Sequence, residues 1–109
     1  MSEDIEPTVR IRARMHLLST AEGGRAGPIR NGYRPNHNFA GPDETTTYIG
    51  QVDLGGEAWM HPGETRDVSI LFLTVPGLQD ILQPGRVWRI QEGRRLVGLG
   101  EVLDTISAA

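Results

Sequence analysis

The chain has 109 residues, 38% of them hydrophobic and 23% charged, a formal net charge of −3 and no cysteine. That length supports one core, and the composition is too apolar for a disordered chain. Without a thiol there is no disulfide framework, thiolate ligand or cysteine nucleophile, which suits a reducing, cytoplasmic compartment.

No apolar run approaches the roughly 18 residues needed to span a bilayer, and the acidic residues 1–7 lack the basic start and apolar centre of a signal peptide, so no membrane association is expected. All 11 basic residues are arginine. Phosphate loops and Schiff bases that depend on lysine are therefore excluded. Residues 8–34 carry Arg10, Arg12, Arg14, Arg25, Arg30 and Arg34 against Glu22 alone, whereas residues 35–80 carry Arg66 against seven acids. An acidic protein can thus present a local basic face, felt within a Debye length of about 8 Å.

Residues 8–18 alternate, with Val9, Ile11, Ala13, Met15 and Leu17 on one side and Arg10, Arg12, Arg14 and His16 on the other. A period of two predicts a half-buried strand with a cationic outer stripe. Residues 19–32, broken by Gly23-Gly24 and Gly27-Pro28, read as a long loop. A second strand is expected over residues 33–39, with Pro35 at an edge or near its start, and a third over residues 45–54. Residues 68–75 are apolar on both sides, which predicts a strand covered on both faces or one whose outer face meets a partner. Leu78, Ile81 and Leu82 suit one short helical turn. Residues 86–91 and 96–103 read as two strands joined at Glu92-Gly93-Arg94, where glycine supplies the positive φ of a tight hairpin. Six short strands between Gly and Pro breakers predict an all-β barrel or sandwich spanning residues 8–106, with a flexible tail at 1–7 and a frayed end at 107–109.

Four segments carry a further signal: Glu22-Gly23-Gly24-Arg25 with Pro28; Gly32-Tyr33-Arg34-Pro35; Pro62-Gly63-Glu64; and Glu92-Gly93-Arg94-Arg95-Leu96-Val97-Gly98-Leu99-Gly100. In order and spacing, from Arg10 to Val102, they resemble the third, C-terminal domain of bacterial elongation factor Tu, which ends in a similar glycine-rich hairpin. The resemblance implies a six-stranded antiparallel closed barrel with Greek-key-like connections. In the full factor that barrel packs on a second barrel and a GTPase domain, and contacts the T stem of aminoacyl-tRNA and the exchange factor Ts. Neither neighbouring domain has a counterpart in this sequence, so nucleotide binding is not implied. By the resemblance, Glu92 and Gly93 stand where the hairpin touches the tRNA backbone, Arg25 keeps the arginine of the glycine loop, and Asn36 replaces a glutamine. Ala26 stands in place of a histidine and Ile49 in place of a threonine. The family's Phe-Tyr-Phe second strand is reduced to His37-Asn38-Phe39, which predicts a more polar face.

Two sets of candidate contacts follow. Arg10, Arg12, Arg14, Arg25, Arg34, Asn36, Glu92, Gly93, Arg94 and Arg95 are candidates for tRNA or another structured RNA, joined by Arg30 in the cationic set; the alternative is a solvated face paired with the protein's own acids. Trp59, Met60, Leu71 and Leu73 are candidates for a protein interface, with Trp59 expected to be exposed and Trp88 to be core. His16, His37 and His61 are scattered and have no cysteine partners, so no metal site is expected, and no cofactor. No serine has a nucleophile-elbow context and no carboxylates pair, so the expectation is a stand-alone binding module rather than an enzyme. Its first expected partner is a protein, and the alternative is RNA.

Overall fold

The computed structural model describes residues 8–56 and 58–108; the tail expected at residues 1–7 lies outside them. Eight strands and one helical turn follow in order: β1 (Thr8–Leu17), β2 (Ile29–Arg30), β3 (Asn36–Asn38), β4 (Tyr48–Asp53), β5 (Trp59–Met60), β6 (Thr65–Leu73), α1 (Leu78–Ile81), β7 (Val87–Glu92) and β8 (Arg95–Ala108). Six of them close a barrel in the order β1-β6-β4-β3-β7-β8, and β2 and β5 form a separate two-stranded sheet. Every pairing is antiparallel. The expected all-β six-stranded closed barrel is the observed fold.

β1 sets the frame, because alternation sends Val9, Ile11, Ala13, Met15 and Leu17 inward while both of its edges are paired. Val52, Ile70, Phe72, Trp88, Ile90, Val97 and Val102 meet them in the core. The turn α1 forms as expected and buries Leu78, with Leu82 buried just beyond it. β8 continues to Ala108, which pairs with Val9, so the strand passes the boundary expected at residue 106.

Two local readings needed correction, and for β6 one of two alternatives is excluded. The second strand shrinks to Asn36–Asn38, since Pro35 offers no donor, and Tyr33 instead makes an isolated bridge to Val52. β6 is covered on one face only: Val68, Ile70 and Phe72 are buried, while Ser69, Leu71 and Leu73 remain half-buried on the outside. The loop expected over residues 19–32 contains β2, whose partner β5 is also too short to show a period.

His37 and Asn38 do not form a polar face; both are buried. Trp88 Nε1–H donates to His37 Nδ1 at 3.1 Å, so the other ring nitrogen, 3.1 Å from Gly50 O, carries the proton and donates to that carbonyl. The neutral ring is thereby satisfied at both ends. Burial pushes the imidazole down to about 4, although the Gly50 carbonyl pulls the other way. Asn38 donates to Gln91 Oε1 at 2.8 Å and to Gly41 O at 2.7 Å, and accepts from the backbone of Ala40 and Gly41.

Trp88 is buried in the core, stacks on Phe39 at 5.0 Å between ring centroids, and presses on Gly100, where an added Cβ would lie 2.6 Å from the indole. Gly100→Ala is therefore expected to cost about 1–3 kcal/mol by overpacking, read as a lowered urea midpoint with an unchanged slope. His37 generates a second expectation. Below pH 6.5 the unfolded chain binds a proton that the buried ring refuses, so stability falls as pH drops from 6.5 towards 4, at up to about 1.4 kcal/mol per pH unit. Urea midpoints at pH 7 and pH 5.5 check this, and His37→Gln, which keeps a donor and an acceptor, flattens the difference.

Candidate functional site

The glycine loop and the last hairpin meet at one end of the barrel. β1 delivers Leu18 to this end, where its N–H donates to Val97 O at 2.9 Å. Ser19 and Glu22 then cap each other: the Glu22 N–H donates to Ser19 Oγ at 3.1 Å, and the Ser19 N–H donates to Glu22 Oε1 at 2.8 Å. The Ser19 backbone, and after it the His16 ring, hold the Glu22 carboxyl below the usual range. The turn exposes two carbonyls to Arg95, whose Nη2 donates to Gly24 O at 2.6 Å and Gly23 O at 3.3 Å. Across the hairpin, Glu92 pairs with Arg95 in register, with Gly93 at φ 61° and no positive φ at Arg94. Glycine at the first central position matches a type II′ turn.

Arg25 ties the loop to the hairpin. Its Nη1 donates to Pro28 O and Gly27 O, its guanidinium carbon lies 5.4 Å from the Tyr33 ring centroid, and its Nε lies 2.9 Å from Glu92 Oε2. That last contact is ionic, since the N–H is not aligned for a hydrogen bond. Tyr33 OH donates to the same carboxylate oxygen at 2.5 Å. Burial, then the Glu92 hydrogen bond, raises the Tyr33 phenol above its ordinary value. Gly93 O accepts from Gln91 Nε2 at 3.1 Å, and Asn36 Nδ2 reaches it at 3.4 Å. Arg25, Asn36, Glu92, Gly93 and Arg95 are thus brought together, largely by bonds to one another or to the loop.

The other cations lie elsewhere. Arg10, Arg12 and Arg14 face outward on β1 and are met by acids: Arg10 by Asp53 at 3.8 Å, Arg12 by Asp104 at 2.9 Å and Asp67 at 3.6 Å, and Arg14 by Asp67 at 3.4 Å. Arg10 pairs with Ser107 and Leu17 with Gly98, so the stripe runs away from the hairpin, Arg10 lying seven residues or roughly 23 Å from Leu17 along an extended strand. Arg34 donates to Gln51 Oε1 at 3.0 Å, and Arg94 is exposed at the hairpin tip. The ten candidates do not form one continuous patch.

The four protein-interface candidates also divide. Met60 is fully buried and belongs to the core, because β5 turns it inward as it turns Trp59 outward, so it is not the contact residue expected. Trp59 is 44% exposed, with the Arg30 guanidinium carbon 5.1 Å from its ring centroid. Leu71 and Leu73 line a shallow groove on the outer face of β6 with Ile49, Gln51, Arg34 and Thr8. Ile49 is the most exposed large apolar side chain among the described residues, at 60%. In the sequence it stands out only as a replacement for threonine, although its place in a strand opposite an apolar one is the available signal.

Among the described residues no group of three or more His, Asp or Glu is placed to hold a metal ion. No described helix is long and apolar enough to cross a membrane. A closed six-stranded barrel whose glycine loop is bolted to its terminal hairpin defines a β-barrel module built around surfaces.

No family model matches the chain. It is 40% identical over 99 residues to Elongation factor Tu 2 of Streptomyces avermitilis, covering 90% of this chain and 23% of that relative. The chain thus spans about a quarter of the length of this curated relative. Identity and barrel together fit an elongation factor Tu third-domain-like module, related to a translation factor.

Glu92 joins Arg25 and Tyr33, so Glu92→Gln is expected to bring the Tyr33 phenol back towards its ordinary value; the difference between wild-type and variant alkaline absorbance titrations measures it. The same change loosens the loop, with a coupling to Arg25→Ala of about 0.5–1 kcal/mol in a double-mutant cycle.

Proposed function

We propose that this module is a non-catalytic docking domain that binds a protein partner through the outer face of β4 and β6. The observation that carries the reading is Ile49, which stands exposed beside half-buried Leu71 and Leu73 in one groove. Apolar side chains gathered on a strand face at a barrel surface gain by leaving water, whereas single exposed ones are commonplace. Arg34 at the rim favours a partner with a carboxylate beside its apolar contact. By the resemblance, a barrel of this kind packs against neighbouring domains in larger relatives, and the preferred partner is a folded domain of a translation factor.

A tagged chain is expected to retain such a partner from native extract after nuclease treatment. Ile49→Glu and Leu73→Glu, both on the open face, are expected to weaken that retention about tenfold or more. Retention indifferent to both substitutions overturns the reading.

RNA binding at the glycine loop and hairpin is the second reading, favoured by the clustering of Arg25, Asn36, Glu92 and Gly93. Against it, the Arg25 Nη1 and Arg95 Nη2 donors already serve backbone carbonyls, and Arg10, Arg12 and Arg14 face the protein's own acids. Filter binding of tRNA separates the two: retention at low salt that falls steeply as salt rises supports RNA, and none at low salt eliminates it.

A further inference from the structure

The two-stranded sheet β2–β5 carries a second surface that the docking face does not use. Arg30 and Trp59 are register partners, as are Ile29 and Met60. Alternation sends Ile29 and Met60 into the core and leaves Arg30 and Trp59 outside, one against the other. Two fully buried anchors therefore fix the placement of an exposed indole and an exposed guanidinium. The Arg30 side chain rests on the ring and no ion pair holds it among the described residues, so its planar fork is preoriented with donors to spare.

The surroundings favour an anion there. Arg25, Pro28, Asn31 and Tyr33 line the same shallow depression. Among the described residues the carboxylates at this end are already answered, Glu92 by Arg25 and Tyr33, and Glu64 by Arg66, whose Nη1 also holds the Trp59 carbonyl at 3.2 Å. What remains open is one preoriented guanidinium beside an aromatic face, the residue types that anchor protein interfaces. A polyphosphate backbone needs several spaced cations, and Arg25, which lines the same depression, has its Nη1 donors committed to carbonyls.

We propose that Arg30 and Trp59 form a binding site for an extended acidic segment of a partner protein, with a carboxylate paired to the Arg30 guanidinium and an adjacent proline or aliphatic side chain laid on the Trp59 ring. The site is separate from the Ile49 face, and either can fail without the other.

Trp59 reports on it directly, because Trp88, the other tryptophan, is buried. The probe is a synthetic peptide alternating Glu and Leu around a central Pro, compared with its Gln-for-Glu counterpart and with a single-stranded oligouridylate. The acidic peptide is expected to protect tryptophan fluorescence from acrylamide quenching at low salt, saturably, and the Gln peptide to do so more weakly. Arg30→Gln, at an exposed position, is expected to bind the acidic peptide about fivefold more weakly. Trp59→Phe removes the signal and so assigns it. No protection at low salt, equal protection in Arg30→Gln, or protection by oligouridylate in preference to the acidic peptide overturns the proposal, the last in favour of nucleic acid.

Discussion

The pairing of β1 along both edges, to β6 on one side and β8 on the other, is the constraint from which the rest of the molecule follows. It closes the barrel and leaves neither edge of β1 open to another chain. It also fixes which way each β1 side chain points: a shift of one residue would exchange a row of core residues for a row of arginines, so the register is held by the cost of burying cations. Because β1 ends beside the start of β8, the loop that follows it is delivered to the terminal hairpin. Arg25 and Arg95 then need only reach sideways to bind it.

The arginines make an instructive balance. A count along the sequence gives a basic first third, yet folding places Asp53, Asp67 and Asp104 against the β1 stripe and Glu92 against Arg25. Exposed pairs of this kind contribute little to stability, but they cancel much of the field a distant polyanion would sense. The apolar strip on β4 and β6 has no such internal answer. That contrast between the paired β1 stripe and the unanswered apolar strip is why the proposed docking reading favours a protein over a phosphate backbone.

Much of this was legible in the residues. The alternation of β1, the hairpin at Gly93, the buried Trp88 and the exposed Trp59 each follow from a local pattern, and the meeting of Arg25 with Glu92 followed from the resemblance. What escaped was non-local or too short. Two-residue strands such as β2 and β5 have no period to read, so Met60 looked like a companion to Trp59 rather than its opposite. His37 and Asn38 looked like surface because their partners, Trp88 and Gln91, lie more than 50 residues away. A buried polar group is recognisable only once its partner is known. The same distance hid the acids that meet Arg10, Arg12 and Arg14.

The double pairing of β1 also bears on how the molecule is made. Arg12 and Asp104, joined across the seam, are 92 positions apart. During synthesis β1 emerges before its partners, and β6 can join it once the middle of the barrel is out, but the seam with β8 has to wait for every other strand. Until then one edge of β1 offers unpaired amides to any passing strand. For this barrel the vulnerable interval lies on the ribosome, and its duration is set by the time taken to translate the strands and loops between the first strand and the last.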